Sequence, residues 1–431
     1  MVSNLPDFLD GSTYRLVESG FVKPKLYSES ICLRCRGRLL LCGKPVCPVT
    51  LEFKVLMEAY RDIYRDDIQG ASPPSVFVGR FGYPKVSIGV MTPPETGDTS
   101  IYDYPERWLE LGLEDILRLR SRLVYGSKRY MVDLPRKEDR YYIDVLDISL
   151  SRVSPEVEMA FERRPIKTLE IDEDIIPFGP RAPVKSLRLG TLKIDYKVER
   201  IVSDYDLKAV DSVITLYESG IEISRISKIF SVGGFGLKRN RRLVPTRWSI
   251  TAVDDVIGRY LYNQVRNYPE IDRFLVYEYT ALENRYVALL IPSRWMYEFM
   301  EAWYPGTFWN RLGSNVVVEG SHEFGRPRSE YADIGGCYYA SRLATLEFLR
   351  RIRRQAGVLI MREAYPGYYF PVGVWSVRET VRRMFRGKPL EFNDFRSAVD
   401  YIFSRLKTPR RMWNSKIIDY MVRQKKLTDY M

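Results

Sequence analysis

The sequence predicts an α+β protein with a strand-rich N-terminal part that carries a small four-cysteine module, a helix-rich C-terminal part, and a short flexible C-terminal tail. Three observations lead to this. Some segments repeat apolar residues at helical spacing, while others are β-branched and aromatic runs cut by Gly and Pro. Four of the five cysteines fall within sixteen residues near the N-terminus. The chain has 431 residues, 45% hydrophobic and 13% aromatic, which is more than one ordinary core organises and enough to build two or three.

In chain order, residues 20–50 hold the cysteines. "LEFKVLMEAYRDIYR" at 51–65 has helical spacing. "VFVGRFGYPKVSIGVM" reads as strands around a turn at Gly82–Pro84. Residues 106–124 read as helix, 139–152 ("DRYYIDVLDISLSR") as strand, and 155–200 as loops and strands. From Asp206 two amphipathic stretches flank Gly220, and 251–268 is another helix. "RFLVYEYTALENRYVALLIP" reads as a hairpin around "LENR". Helices are expected again at 294–303, 338–356, 376–386 and 393–406. No internal repeat or low-complexity linker is apparent. A boundary near residue 300 gives an N-terminal domain at 1–300, a helical domain at 301–415 and a basic tail at 416–431.

The formal net charge is +12, from 67 Lys and Arg against 55 Asp and Glu. Such a balance draws a protein to polyanions, nucleic acid or acidic membrane surfaces. "MVSNLPDFLDG" has neither the basic start nor the apolar stretch of a signal peptide, and no apolar run of about 18 residues occurs. The chain therefore reads as cytoplasmic, with no membrane partner. Cysteines in that compartment stay reduced and are more often metal ligands than disulfides.

"CLRCRGRLLLCGKPVCP" places Cys32, Cys35, Cys42 and Cys47 in the pattern C-x2-C-x6-C-x4-C. A C-x2-C turn lets two thiolates grip one ion, and four thiolates suit tetrahedral Zn²⁺. With four protein ligands the site is structural, and the metal holds together a segment with little core of its own. An iron–sulfur cluster accepts the same ligands, and free or disulfide-bonded cysteines are the bland reading.

"SVGGFGLKRNRRLVPTRW" joins a glycine-rich turn to Lys238, Arg239, Arg241, Arg242 and Arg247. Gly233, Gly234 and Gly236 could let backbone amides approach a phosphate. No nucleotide-binding fingerprint is present, so such a phosphate belongs to a nucleic-acid backbone; a solvated surface loop weighs equally. Upstream, "VITLYESGIEISRISKIF" can be drawn as a helix-turn-helix. Arg350, Arg351, Arg353 and Arg354 cluster near a helix end, with Arg378, Arg382, Arg383 and Arg386 further on. Tyr365, Tyr368, Tyr369, Phe370 and Trp375 could stack on bases, although core packing is the commoner fate of such residues.

An active site has no sharp signature. The single histidine, His322, has no second histidine to share a metal. Cys337 precedes an expected helix, where a thiol pKa can fall, but a buried packing role is the better reading. Asp254, Asp255, Glu278, Glu283 and Asp333 are carboxylates that could hold Mg²⁺ only if the fold brought them together. Whether the chain is an enzyme stays open.

Gln424, Leu427, Tyr430 and Met431 fall at i, i+3, i+6 and i+7, and one 3₁₀ turn aligns the first three on one face. Residues 401–431 carry eight Lys or Arg against two Asp, which suits an acidic partner. Packing as an ordinary last helical turn is the alternative. The pattern resembles the motif by which replication and repair proteins dock on the sliding clamp PCNA, except that Met431 stands where a second aromatic is usual. With "CLRC…CGKPVC", "VFVGRFGYPKVSIGVM", "LVPTRWSITAVDD" and "GGCYYASRLATLEFL", the chain as a whole resembles the archaeal Nre family. The resemblance implies a role in repairing damaged DNA, guided by PCNA, and supplies no active site. The body is then a DNA binder or adaptor, a DNA-processing enzyme such as a metal-dependent nuclease or base-modifying activity, or an RNA-binding protein.

Overall fold

The computed structural model describes residues 22–24, 34–35, 37–41, 46–137, 139–169, 178–310 and 313–423. Two compact units divide the chain: Met1–Val256 with Phe370–Gly373, and Ile257–Tyr369 with Val374–Met431. This division lies upstream of the boundary expected near residue 300.

The first unit contains β1 (Val22–Pro24), α1 (Pro48–Ile63), β2 (Asp67–Ala71), β3 (Val76–Val78), β4 (Lys85–Thr92), α2 (Leu113–Ser121), β5 (Val124–Met131), α3 (Arg140–Leu150), β6 (Glu156–Phe161), β7 (Lys167–Leu169) and β8 (Arg181–Leu189). The short helices α4 (Tyr196–Ser203), α5 (Ala209–Glu218) and α6 (Ile223–Ser231) follow. Helix α7 (Thr246–Val265) carries the chain into the second unit. Six strands form one sheet in the order β2-β6-β8-β5-β4-β3, antiparallel except for β5 and β8; β1 and β7 pair separately in parallel. Val86, Ile88 and Val90 of β4 alternate into a core shared with Leu56, Ala59 and Ile63 of α1 and Val145 and Ile148 of α3. Each buried Val, Leu or Ile side chain among these contributes about 1.5–3 kcal/mol.

The segment expected as a strand at 139–152 is instead helix α3. The Asp139 carboxylate caps it, accepting from the Tyr142 amide at 2.9 Å. Its buried residues Tyr141, Tyr142, Val145 and Ile148 are spaced for one helix face. Tertiary packing overrides the β preference of these residue types. Residues 106–124 also divide, into a 3₁₀ turn, α2 and the start of β5.

The second unit has its own six-stranded sheet, so the C-terminal part is not simply helix-rich. Its elements are β9 (Phe274–Ala281), β10 (Asn284–Ile291), β11 (Met296–Trp303), β12 (Val317–Phe324), α8 (Gly336–Ile352), β13 (Gly357–Ala364), α9 (Trp375–Met384), β14 (Leu390–Phe392), α10 (Phe395–Arg405) and α11 (Lys416–Arg423). The order is β12-β11-β13-β10-β9-β14, with β11 and β13 parallel. The expected hairpin is β9–β10, turning at Leu282 and Glu283, both at positive φ.

The run at 294–303 was expected to be helical but is β11, a strand buried at every position but its last. Helices cover both faces of the sheet. On β9, Val276 packs toward Ala398, Val399 and Ile402 of α10, while the adjacent Tyr277 meets Phe348 of α8. Burial on both faces erases the alternation that marks a strand in sequence. The Glu298 carboxylate of β11 accepts from Ser415 Oγ at 2.6 Å, the Lys416 amide at 2.9 Å and the Ile417 amide at 3.0 Å, capping α11. No described helix is long and apolar enough to cross a membrane.

Candidate nucleic-acid interface

The connection from β3 to β4 reads GRFGYP and leads into Lys85. Its backbone is tied down: Gly79 N donates to Ser87 O and Lys85 N to Gly82 O, each at 2.8 Å. Gly82 sits at φ +82, and a Cβ there would stand 2.2 Å from Arg129 Nη2. Glycine therefore lets the Arg129 guanidinium lie against the turn, where it donates to Lys85 O at 2.8 Å. The rings of this fixed turn face solvent, Phe81 being 69% exposed and Tyr83 47%. Trp248, in the first turn of α7, is 47% exposed and meets Tyr83 with centroids 5.4 Å apart and planes inclined at 54°.

The basic loop runs beside this turn. Val132 N donates to Pro84 O at 3.0 Å, and Leu243 N donates to Val132 O at 2.8 Å. Val78 N donates to Thr246 Oγ1 at 2.9 Å. The loop's arginines take different roles. Arg241 is buried: its Nε donates to Gly236 O at 2.8 Å, and its Nη2 to Val202 O at 2.7 Å and Asp204 O at 3.0 Å. It also stacks 4.4 Å from the Tyr205 ring. Arg241 thus holds the loop together and is not available to a phosphate, against the sequence expectation. Lys238, Arg239 and Arg242 are exposed, and Arg247 is half-buried. Beside the rings, Lys85 and Arg129 are exposed and the Arg80 guanidinium lies 5.2 Å from the Phe81 centroid.

Two of the three glycine amides of the loop are already occupied. Gly233 N donates to Phe230 O at 3.0 Å and Gly234 N to Ile229 O at 2.9 Å, closing the end of α6. The helix-turn-helix outline is present in α5 and α6, but no residue of α6 is exposed. Ser224 is bound by Glu106, Arg225 donates to Leu150 O, and Lys228 lies 2.9 Å from Asp103. A recognition helix needs a free face, which α6 lacks.

In the second unit Arg350 and Arg351 fall in the last turn of α8, Arg353 takes the left-handed cap at φ +52, and Arg354 follows. Arg351, Arg353 and Arg354 are exposed, and Arg351 Nη2 donates to Phe385 O at 2.9 Å. Arg378 is buried, and Arg382 is held by Glu347 and Glu379. Tyr368, Phe370 and Trp375 are core residues, at most 4% exposed.

The carboxylates expected at 254–333 are not gathered into a metal site, and no cluster of three metal-ligating side chains occurs among the described residues. Glu278 pairs with Arg285 at 2.6 Å and Arg405 at 3.0 Å, and Asp333 binds Ser321. Burial pushes the Cys337 thiol well up, with neighbouring Glu301 adding to the effect, so it is no ready nucleophile. Cys35 is buried and Cys47 partly so, and neither forms a disulfide among the described residues. Cys32 and Cys42, like Gln424, Leu427, Tyr430 and Met431, lie outside the described residues.

The sequence reading missed Phe81, Tyr83, Trp248, Lys85 and Arg129. The available signal was a turn holding two rings and Arg80 between Gly79 and Pro84, with Lys85 directly after the proline.

Models of the archaeal Nre N-terminal and C-terminal regions match residues 41–310 and 323–430. The chain is 42% identical over 404 residues to the DNA repair protein NreB of Archaeoglobus fulgidus, covering 93% of this chain and 100% of that one. It is 36% identical over 369 residues to the DNA repair protein NreA of the same organism, covering 85% and 92%. To the DNA repair protein NreA of Haloferax volcanii it is 32% identical over 357 residues, covering 80% and 85%. No solved structure matches.

Proposed function

The chain belongs to the archaeal Nre family, and from that premise we propose that it acts in DNA repair, holds DNA on basic surfaces and is recruited by PCNA. The observation that carries the repair role is the near full-length similarity to relatives named DNA repair proteins. DNA binding is supported by the exposed Lys238, Arg239 and Arg242 and by the exposed Arg351, Arg353 and Arg354. Arginine contacts to phosphate give affinity without reading sequence and weaken as salt rises. DNA affinity indifferent to salt would count against this.

PCNA recruitment rests on the Gln424, Leu427, Tyr430 and Met431 pattern. It is consistent with exposure of the preceding Val422 and Arg423. Titrating PCNA with the full chain and with residues 1–423 tests it: only the full chain should bind, and equal affinities would sink the assignment.

Zn²⁺ is proposed on Cys32, Cys35, Cys42 and Cys47. The turn after Cys35 fits such a site: Gly37 is at φ +69, and the Arg38 and Leu39 amides donate to Cys35 O at 3.0 and 3.2 Å. The metal would supply local folding energy and no catalysis. Metal analysis should return about one zinc per chain, as one four-thiolate site requires; a coloured, iron-bearing preparation overturns it.

A further inference from the structure

We propose that Phe81, Tyr83 and Trp248 form a stacking platform for unpaired bases, so that the DNA this protein prefers is single-stranded or locally unstacked. The inference rests on the DNA-binding reading above and names the kind of DNA.

The first argument is exposure on a fixed frame. The turn at 79–85 is closed by backbone hydrogen bonds and braced by Arg129. Even so, Phe81 and Tyr83 are held out in solvent together with Trp248. Neighbouring exposed rings on a rigid turn form a surface for another molecule rather than scattered surface apolar residues.

The second argument is charge. Residues 79–85 and 238–248 contain seven Lys or Arg and no Asp or Glu. Of these, Lys85, Lys238, Arg239 and Arg242 are exposed. A surface of aromatic faces bordered by cations matches a nucleic-acid strand, whose bases and phosphates alternate in the same way. An apolar protein partner needs the rings but not the border of cations.

The third argument is geometry. Tyr83 and Trp248 already touch at 5.4 Å and are inclined at 54°, so no base fits between them. A base must instead stack on an outward face, as it can on Phe81, whose other neighbour is the Arg80 guanidinium. Duplex DNA keeps its base faces inside the stack and offers only edges in its grooves. Unpaired nucleotides present the faces themselves.

The test uses the full chain and one labelled oligonucleotide as single strand, as duplex, and as duplex with a central unpaired stretch, at fixed salt. The wild type should prefer the first and third. Phe81→Ala, Tyr83→Ala and Trp248→Ala should each weaken those two by about fivefold or more, and the plain duplex by less than twofold. Tyr83→Phe should keep wild-type affinity. Circular dichroism melting checks that the variants fold, which the exposure of the rings predicts.

Equal losses on all three DNAs, no loss on any, or tighter binding of an RNA strand of the same sequence would overturn the platform. So would alanine variants that change the sedimentation of the free protein, which would make the surface an interface between copies. If the wild type binds none of the DNAs, the DNA-binding reading falls as well; if it binds them all and the rings do not matter, only the platform falls.

Discussion

Two arginine clusters look alike in the sequence and are built differently. The cluster at 238–247 is a loop that runs into the first turn of α7, hydrogen-bonded alongside an exposed aromatic turn and locked by one buried member, Arg241. The cluster at 350–354 ends a helix. There the negative end of the helix dipole attracts the guanidinium groups, and carbonyls take some of their donors: Arg351 bonds Phe385 O and Arg354 bonds Arg353 O. The same oriented carbonyls oppose an approaching phosphate. Counting cations therefore measures net attraction to a polyanion but does not rank surfaces. What the backbone does beneath the cations, and whether base-sized rings stand beside them, separates the two.

The largest expected effect tests what the loop stands on. Lys228 of α6, the helix leading into the loop, meets the largely covered Asp103, which also binds Arg120 at 2.6 Å. Burial pushes the Asp103 carboxyl up, but Lys228, Arg120 and the Ser75 hydroxyl more than offset this and hold it below the usual carboxylate range. Asp103→Asn leaves the buried Arg120 and the largely covered Lys228 without their anion and should cost about 3 kcal/mol, read by urea unfolding. The sign of the pH dependence follows. A depressed carboxylate stabilises the fold fully above the ordinary Asp value of about 3.9 and loses that contribution as pH falls through its lower folded value. Acid unfolding of the wild type should therefore steepen below about pH 4, and Asp103→Asn should flatten that part of the curve.

Arg241→Ala comes next. It orphans three carbonyl groups and should destabilise by about 3 kcal/mol, weakening DNA binding although Arg241 is buried. Arg354→Ala, at an exposed helix end, should change stability by about 0.5 kcal/mol or less. Equal costs for the two would break the contrast between locked loop and helix end.

The smallest effect is the salt slope. Replacing Lys238, Arg239 and Arg242 by alanine should flatten the plot of log affinity against log salt by about 0.7–0.9 for each phosphate no longer neutralised. The same change at Arg351, Arg353 and Arg354 should flatten it less. A larger change at the helix end would reverse the ranking.

What the sequence reveals here depends on how local the cause is. The turns at Gly82–Pro84 and at "LENR" are visible because turn chemistry sits in the turn residues themselves. Helix α3 and strand β11 are misread because Tyr141–Val145 carry strand-favouring residues and β11 is covered on both faces. Arg241 is indistinguishable from Arg242 in sequence; one is buried and the other exposed because distant carbonyls at Val202 and Asp204 close over the first. Exposure of Phe81 and Tyr83 is likewise decided elsewhere: Trp248 of α7 meets the Tyr83 ring and still leaves it 47% exposed. The family is legible from motifs spread along the chain, whereas the proposed DNA surface depends on which side chains the fold leaves exposed.

Helix α11 shows what one buried carboxylate does at a distance. Because Glu298 clamps its first turn to the central sheet, the last described residue, Arg423, is a fixed point rather than a drifting end. Tyr430 lies seven residues further on, and a fully extended chain spans at most about 3.5 Å per residue, so its leash is about 25 Å. Were a partner to take Leu427 and Tyr430 as proposed, it would be kept within that radius of Arg423, at an effective concentration on the order of millimolar. Glu298, inside the protein, sets the centre of that circle, and replacing it would widen the circle without altering a single residue of the motif.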